Sequence, residues 1–259
     1  MRGPGGPHAL TGGVTFTDDE IERYARHLVL AEVGGPGQQR LKAARVGLIG
    51  LGGVGAPAAL YLAAAGVGTL RLVDDDAVAL SNLQRQIAFD AADIGRPKVE
   101  AGAATLTALN PHVRIEPVAE RLTAANADDL VAGCDVVIDG TDDFATRFAV
   151  NAACVAAGVP LASGALGRWS GQVGVFAGRP CYRCLVPAVP PDAETCARVG
   201  VVGALAGVVG SMAALEAIKL IVGAGAPLAG RLLIYDGLAG TARTVAVAAD
   251  PDCPVCSGG

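Results

Sequence analysis

"VGLIGLGGVG", residues 46–55, joins a short strand-like run, Val46 to Ile49, to a cluster of glycines that opens an alanine-rich segment. Gly50-Leu51-Gly52-Gly53-Val54-Gly55 has the spacing G-x-G-x-x-G, in which glycines permit a tight turn and close approach of the backbone to a phosphate. The helix expected beyond it offers unpaired N–H groups and a positive dipole end to an anion. By itself this motif suits NAD, FAD and some ATP sites equally, so the rest of the chain has to discriminate.

Outward from that turn, strand and helix alternate. Strands are expected over 45–50, 69–73, 113–118, 136–139 and 161–163, with helices over 54–65, 97–109 and 144–157 between them. Such alternation predicts an α/β fold with a Rossmann-like, doubly wound, mostly parallel sheet. After Gly171 the pattern changes to "QVGVFAG", then to a Cys- and Pro-rich crossover loop over about 179–200 and a Gly-rich helix. Two late strands, 231–235 and 243–247, extend the same sheet and allow an antiparallel direction. Upstream, Thr17-Asp18-Asp19-Glu20 has the spacing of a capping box, starting a helix that carries Arg23, Tyr24 and Arg26 and ends at Gly34-Gly35-Pro36. Residues 1–15 read as a flexible tail, and 16–259 as one domain.

Composition narrows the class. Hydrophobic residues make up 52% of the 259 and charged residues 17%, enough apolar content for a sizeable core. The net charge of −5 and the lack of a basic stripe argue against nucleic-acid binding. The first 15 residues lack the apolar core of a signal peptide. The longest apolar stretch, Val199 to Leu215, is expected to fall short of a membrane span. Gly203, Gly207 and Gly210 instead suggest close packing in a core or a dimer interface. The chain reads as cytoplasmic, where seven cysteines point to metal or redox chemistry rather than disulfides.

Asp74 ends the second strand 19 residues past Gly55, where a carboxylate can accept hydrogen bonds from ribose hydroxyls. A dehydrogenase would place one there too. "ALSNLQRQ", residues 79–86, separates the readings, because a nicotinamide enzyme has no need for Asn82, Arg85 and Gln86 in one polar segment. A triphosphate does: Arg85 offers a bidentate fork and Lys98 a second point charge. "VVIDGTDDFATR", residues 136–147, adds Asp139, Asp142 and Asp143, and a carboxylate at a strand end beside phosphates suits Mg²⁺.

Arg23-Tyr24-x-Arg26, the glycine turn, Asp74-x-Asp76, Ser81-Asn82-Leu83-Gln84-Arg85-Gln86, Lys98, Thr141-Asp142 and Cys181-Tyr182-Arg183-Cys184 occur in the order found in one family. Over about residues 16–256 the chain resembles the sulfur-carrier-protein adenylyltransferases of the MoeB and ThiF type, relatives of ubiquitin-activating enzymes. The resemblance implies that Asp74 binds ribose and that Gly53 and residues 81–85 line the nucleotide. Arg85, Lys98 and Asp142 would serve the triphosphate and Mg²⁺, and Arg26 would reach the other subunit's site across a homodimer. Asp143 departs from the asparagine usual there. The implied partners are a small ubiquitin-like carrier ending in Gly-Gly and a separate sulfur donor protein.

The implied chemistry matches the residue inventory. A C-terminal carboxyl, with a reference pKa of about 3.3–3.7, is already ionised at neutral pH and attacks the α-phosphate of ATP without a general base. The histidines, His8, His27 and His112, lie outside these motifs. The reaction needs cations against a crowded anion. Rival readings are an NAD-dependent oxidoreductase, a non-catalytic nucleotide-sensing dimer, and an activator of a carboxylate on modified tRNA.

Cys181-x-x-Cys184 and Cys253-x-x-Cys256 form two pairs suited to one tetrahedral Zn²⁺ that ties the crossover loop to the C-terminal tail. Cys196, near Arg198, is either a thiol that links covalently to the carrier or a loop thiol without that duty. Cys134 and Cys154 read as core residues. The terminal Gly258-Gly259 reads as a frayed tail.

Overall fold

The computed structural model describes residues 15–189 and 200–257. Most of the expected tail, Cys196 with Arg198, and Gly258-Gly259 lie outside the described residues. Eight strands form one sheet in the order β3-β2-β1-β4-β5-β6-β7-β8. These are β1 (Arg45–Ile49), β2 (Thr69–Val73), β3 (Arg114–Val118), β4 (Val136–Asp139), β5 (Leu161–Leu166), β6 (Ser170–Phe176), β7 (Arg231–Asp236) and β8 (Thr241–Ala246). The first five pair in parallel and the last three join antiparallel, as the doubly wound reading anticipated. Strand β6 is the strand the alternation did not mark, and the short helix at Ala127–Val131 was not marked either. Gly171 and Gly174 leave few side chains to display a two-residue period in β6.

Side chains alternate between the two faces of the sheet, so β1, β2, β4, β5 and β6 feed two cores, while β8 is exposed along its length. Leu48, Leu72, Ile138 and Val175 face one core, which α3 (Gly34–Ala43), α4 (Gly55–Ala65), α5 (Lys98–Leu109) and α9 (Gly203–Val222) cover. Ile49, Val73, Val137 and Phe176 face the other, under α6 (Ala127–Val131), α7 (Phe144–Ala157) and α8 (Tyr182–Leu185).

Two expectations are corrected. The N-terminal helix does not run on to the Gly-Gly-Pro; it breaks into α1 (Asp18–Arg23) and α2 (Ala25–Leu28), and Gly34-Gly35-Pro36 starts α3. Proline is tolerated in a first turn because its missing N–H would find no helical partner there. The break falls at Tyr24, buried with its hydroxyl accepting a hydrogen bond from Asn110 Nδ2 at 2.9 Å. The capping box itself forms, with Glu20 N donating to Thr17 Oγ1 at 3.2 Å and Thr17 N to Glu20 Oε2 at 2.9 Å.

The apolar stretch near 199–215 is also longer than expected, because α9 has 20 residues and by length and composition could cross a membrane. Half of it is buried within the fold, against α4 and strands β4, β5 and β6. That is the situation of a core helix. Gly210 makes the packing possible, since a Cβ there would lie 2.5 Å from the Val54 carbonyl oxygen.

Candidate nucleotide cavity and cysteine cluster

Chain order reverses between β1 and β4, which are neighbours in the sheet although β2 and β3 intervene in sequence. The crevice beyond the carboxyl ends of two such strands is where open α/β sheets hold ligands. A cavity of about 610 Å³ lies there, within the usual range for a small-molecule site.

The glycine turn forms its floor. Gly50 takes a positive φ of 85°, and a Cβ on Gly55 would stand 1.8 Å from the Gly50 carbonyl oxygen, so the turn closes only without side chains. Helix α4 starts at Gly55, its first turn without an acidic residue or a side-chain cap. Ala56 N is taken by the Gly52 carbonyl at 3.0 Å and Pro57 has no N–H, so backbone donors to an anion would come from the glycine turn ahead of the helix.

Two connections, β2 to α5 and β4 to α7, bring charge to this floor. After β2, Asp74 accepts from Leu51 N at 2.7 Å and Asp76 N at 2.9 Å, which ties it to the glycine turn. Burial pushes its carboxyl above the ordinary value, opposed by Lys98 and the two N–H donors. Lys98, the first residue of α5, is buried with its ammonium 2.6 Å from Asp76 and 3.8 Å from Asp74. Arg85 lines the same cavity and donates from Nη1 to the Ser81 carbonyl at 3.0 Å.

After β4, Thr141, Asp142 and Asp143 close the far wall. Asp143 caps α7, its Oδ2 accepting from Thr146 N at 2.9 Å and Thr146 Oγ1 at 2.7 Å. The Thr146 hydroxyl holds its carboxyl below the ordinary value, against the cost of burial. Asp143 is therefore engaged as a helix cap.

Of the residues singled out in the sequence, Gly50, Gly52, Gly53, Asp74, Asp76, Asn82, Arg85, Lys98, Asp142 and Asp143 line the cavity. Gly55, Ser81, Leu83, Gln84 and Arg26 do not. Leu83 packs on the core, and the Gln84 carbonyl abuts Gly203 at the start of α9. Arg26 is exposed on α2. Sequence reasoning missed Arg121, Arg147, Gln172 and Tyr182, all of which line the cavity. Arg147, Gln172 and Tyr182 stand inside stretches quoted above, and none is given a role there.

The four paired cysteines converge. The sulfurs of Cys181, Cys184, Cys253 and Cys256 all lie within 4.8 Å of one another. Cys181 and Cys253 are 3.7 Å apart, and Cys184 and Cys256 3.4 Å. Tetrahedral thiolates at about 2.3 Å from a metal stand about 3.8 Å apart, so the cluster fits such an ion closely. Cys134 and Cys154 are buried away from it in the second core, and burial pushes the Cys154 thiol up to about 12, an inert form.

Fold and cavity together define a nucleotide-binding α/β protein. A family model described as the ThiF family matches residues 24–255. The chain is 47% identical over 243 residues to the SAMP-activating enzyme E1 of Haloferax volcanii, covering 93% of this chain and 90% of that protein. It is 46% identical over 244 residues to the molybdopterin-synthase adenylyltransferase of Escherichia coli, covering 93% and 98%. The crystal structure of Escherichia coli MccB with ATP shares the fold, with a TM-score of 0.80 at 22% identity, covering 91% of this chain and 75% of that one. The chain belongs to the ThiF family.

Proposed function

We propose that this ThiF-family chain is an ATP-dependent adenylyltransferase that activates the C-terminal carboxylate of a small ubiquitin-like sulfur-carrier protein ending in Gly-Gly, for sulfur transfer of the molybdopterin or thiamin kind. Relatives at 46–47% identity over nearly their whole length bear names of that activity, among them a sulfur carrier protein ThiS adenylyltransferase. The observation that carries the reading is one cavity that gathers the glycine turn after β1, Asp74, Arg85 and Lys98 from the connection between β2 and α5, and Asp142 from the loop after β4. An oxidoreductase has no use for the two cations, and a mere sensor has no use for the whole set.

The carrier's carboxylate oxygen forms a bond to the α-phosphorus, and the bond to the bridging oxygen of the β-phosphate breaks. The products are an acyl-adenylate and pyrophosphate, and no proton moves. Asp74 holds the ribose hydroxyls, and the turn's N–H groups cradle the phosphates. Arg85 and Lys98 offset the charge that gathers on the leaving pyrophosphate. Asp142 would hold Mg²⁺ together with phosphate oxygens, and that ion when bound neutralises phosphate charge.

Arg26 serves the other subunit's site in a homodimer. The tetrathiolate cluster holds Zn²⁺ as a structural knot. A separate protein supplies sulfur, Cys196 is the candidate for a covalent carrier adduct, and the setting is the cytoplasm.

The test is ATP–pyrophosphate exchange with Mg²⁺ and a panel of Gly-Gly-ended carriers. Exchange that depends on one carrier supports the reading and names the pathway. Exchange with none, despite ATP binding, would leave a nucleotide sensor as the better account.

A further inference from the structure

Arg147 is almost wholly buried, yet it lines the reaction cavity and no step above uses it. Its Nε donates to the Thr141 carbonyl at 3.0 Å, and Nη2 donates both to that carbonyl and to the Gly164 carbonyl, the latter at 2.8 Å. Nη1 reaches Ser163 Oγ at 3.4 Å and lies 3.8 Å from the Asp139 carboxylate. Asp139 in turn accepts from Thr141 N at 3.0 Å, Thr141 Oγ1 at 2.7 Å and Ser163 Oγ at 2.9 Å. Every one of these contacts either grips Thr141, the residue before Asp142, or anchors that grip to the ends of β4 and β5.

Tyr182 closes the remaining side. Its ring centre lies 5.8 Å from the Arg147 guanidinium carbon, and the ring is wedged between Phe148 and Phe176. It is buried and lines the cavity. It is also the second residue of the C-x-x-C turn. Its N–H donates to Asn151 Oδ1 at 2.8 Å, while Asn151 Nδ2 lies 3.6 Å from Cys181 Sγ. A guanidinium shielded from water on one face by an aromatic ring holds carbonyls more firmly than an exposed one.

We propose that Arg147 and Tyr182 are positioning residues that set the Thr141–Asp142 loop at the metal-bearing end of the nucleotide cavity, with Tyr182 held over Arg147 by the cysteine turn that carries it. The cysteine cluster thereby bears on the reaction site as well as on the fold. This rests on the adenylyltransferase reading above, because it takes Asp142 to be the metal-facing carboxylate.

The experiment compares Arg147→Gln, Arg147→Lys, Tyr182→Leu and Tyr182→Phe in the full chain, each checked for bound metal and for a cooperative melt. Two quantities are read: the rise in melting temperature on adding ATP, with and without Mg²⁺, and the Mg²⁺ concentration that half-saturates carrier-dependent exchange. A loss of packing alone lowers every melting temperature but leaves the Mg²⁺ requirement where it was. We expect Arg147→Gln and Tyr182→Leu to raise the Mg²⁺ requirement by about 10-fold or more, as loss of a residue orienting a metal ligand does. Metal-free ATP binding should change little. Arg147→Lys and Tyr182→Phe, which keep one donor and the ring, should return part of the way to wild type.

Folded Arg147→Gln and Tyr182→Leu proteins with the wild-type Mg²⁺ requirement would overturn the proposal. If Arg147→Gln fails to fold, Arg147→Lys and Tyr182→Leu decide it. A wild-type chain without exchange would count against the function, whereas the Mg²⁺-dependent melting shift would still judge the positioning.

Discussion

The Lys98 ammonium sits 2.6 Å from the Asp76 carboxylate, a buried cation held by a largely exposed anion. The buried Asp74 stands 3.8 Å away on its other side. Asp76 can turn into solvent when a phosphate takes its place, but Asp74 cannot, so Lys98 also neutralises a carboxylate that burial disfavours. Lys98→Met should abolish exchange and should destabilise the free chain by about 2–3 kcal/mol, less than a fully buried broken pair costs because Asp76 is exposed.

The sign with pH follows from Asp74. Its folded pKa is raised, so its contribution to stability is present below the unfolded value and lost as pH rises through the folded one. Without Lys98 that loss deepens. The penalty of Lys98→Met, measured by thermal melting, should be larger at pH 7 than near pH 4. An equal penalty at both would mean that Asp74 does not depend on Lys98.

Asp143 gives the opposite sign. Its pKa is depressed by the Thr146 hydroxyl and N–H. The stability it contributes is present above the unfolded value of about 3.9 and is lost as pH falls through the folded one. Asp143→Ala removes the α7 cap and should cost about 1 kcal/mol at pH 7. Asp143→Asn keeps a cap and should lose the acid-dependent part, so its melting curve meets that of the wild type as pH drops. In exchange assays it should shift the Mg²⁺ requirement far less than Asp142→Asn. A shift equal to that of Asp142→Asn would return Asp143 to the metal.

These contrasts mark how far the sequence could be read. The glycine turn, Asp74 and Lys98 were legible because each sits at a strand end or helix start, where local spacing dictates position. The same locality let Asp143 be noticed but not understood, since capping depends on Thr146 facing it across one turn. Arg147 and Tyr182 meet only because α7 and α8 pack together, with Arg147 bonded to β5 and Tyr182 against Phe176 of β6, and nothing in the spacing of two residues 35 apart announces that. Strand β6 escaped for a related reason: its glycines hide the alternation, and its place is set by pairing with β5 and β7.

The cysteine cluster joins a turn at 181–184 to the C-terminal segment at 253–256. Metal analysis of the purified chain should find about one zinc per chain, and Cys181→Ser or Cys253→Ser should lose it. Because the closed loop is long, loss of the ion should lower the melting temperature markedly and expose the tail to protease. Unchanged melting after chelation, with the metal shown to be gone, would make the cluster dispensable to the fold.

Arg26 offers the sharpest test of the dimer. It is exposed on α2 and is absent from the cavity lining of its own chain, whereas Lys98 lines that cavity. If each site takes Arg26 from the partner subunit, Arg26→Ala and Lys98→Ala are each inactive but complementary. In a mixed dimer, the site in the Arg26→Ala subunit keeps its own Lys98 and receives Arg26 from the Lys98→Ala partner. Unbiased mixing makes about half the dimers mixed, each with one intact site of two, so about a quarter of wild-type exchange should return. Subunits unfolded and refolded together, or expressed together, would supply the mixed dimers. Activity that stays at the level of the separate variants, in a sample shown to contain mixed dimers, would mean that Arg26 does not work across the interface.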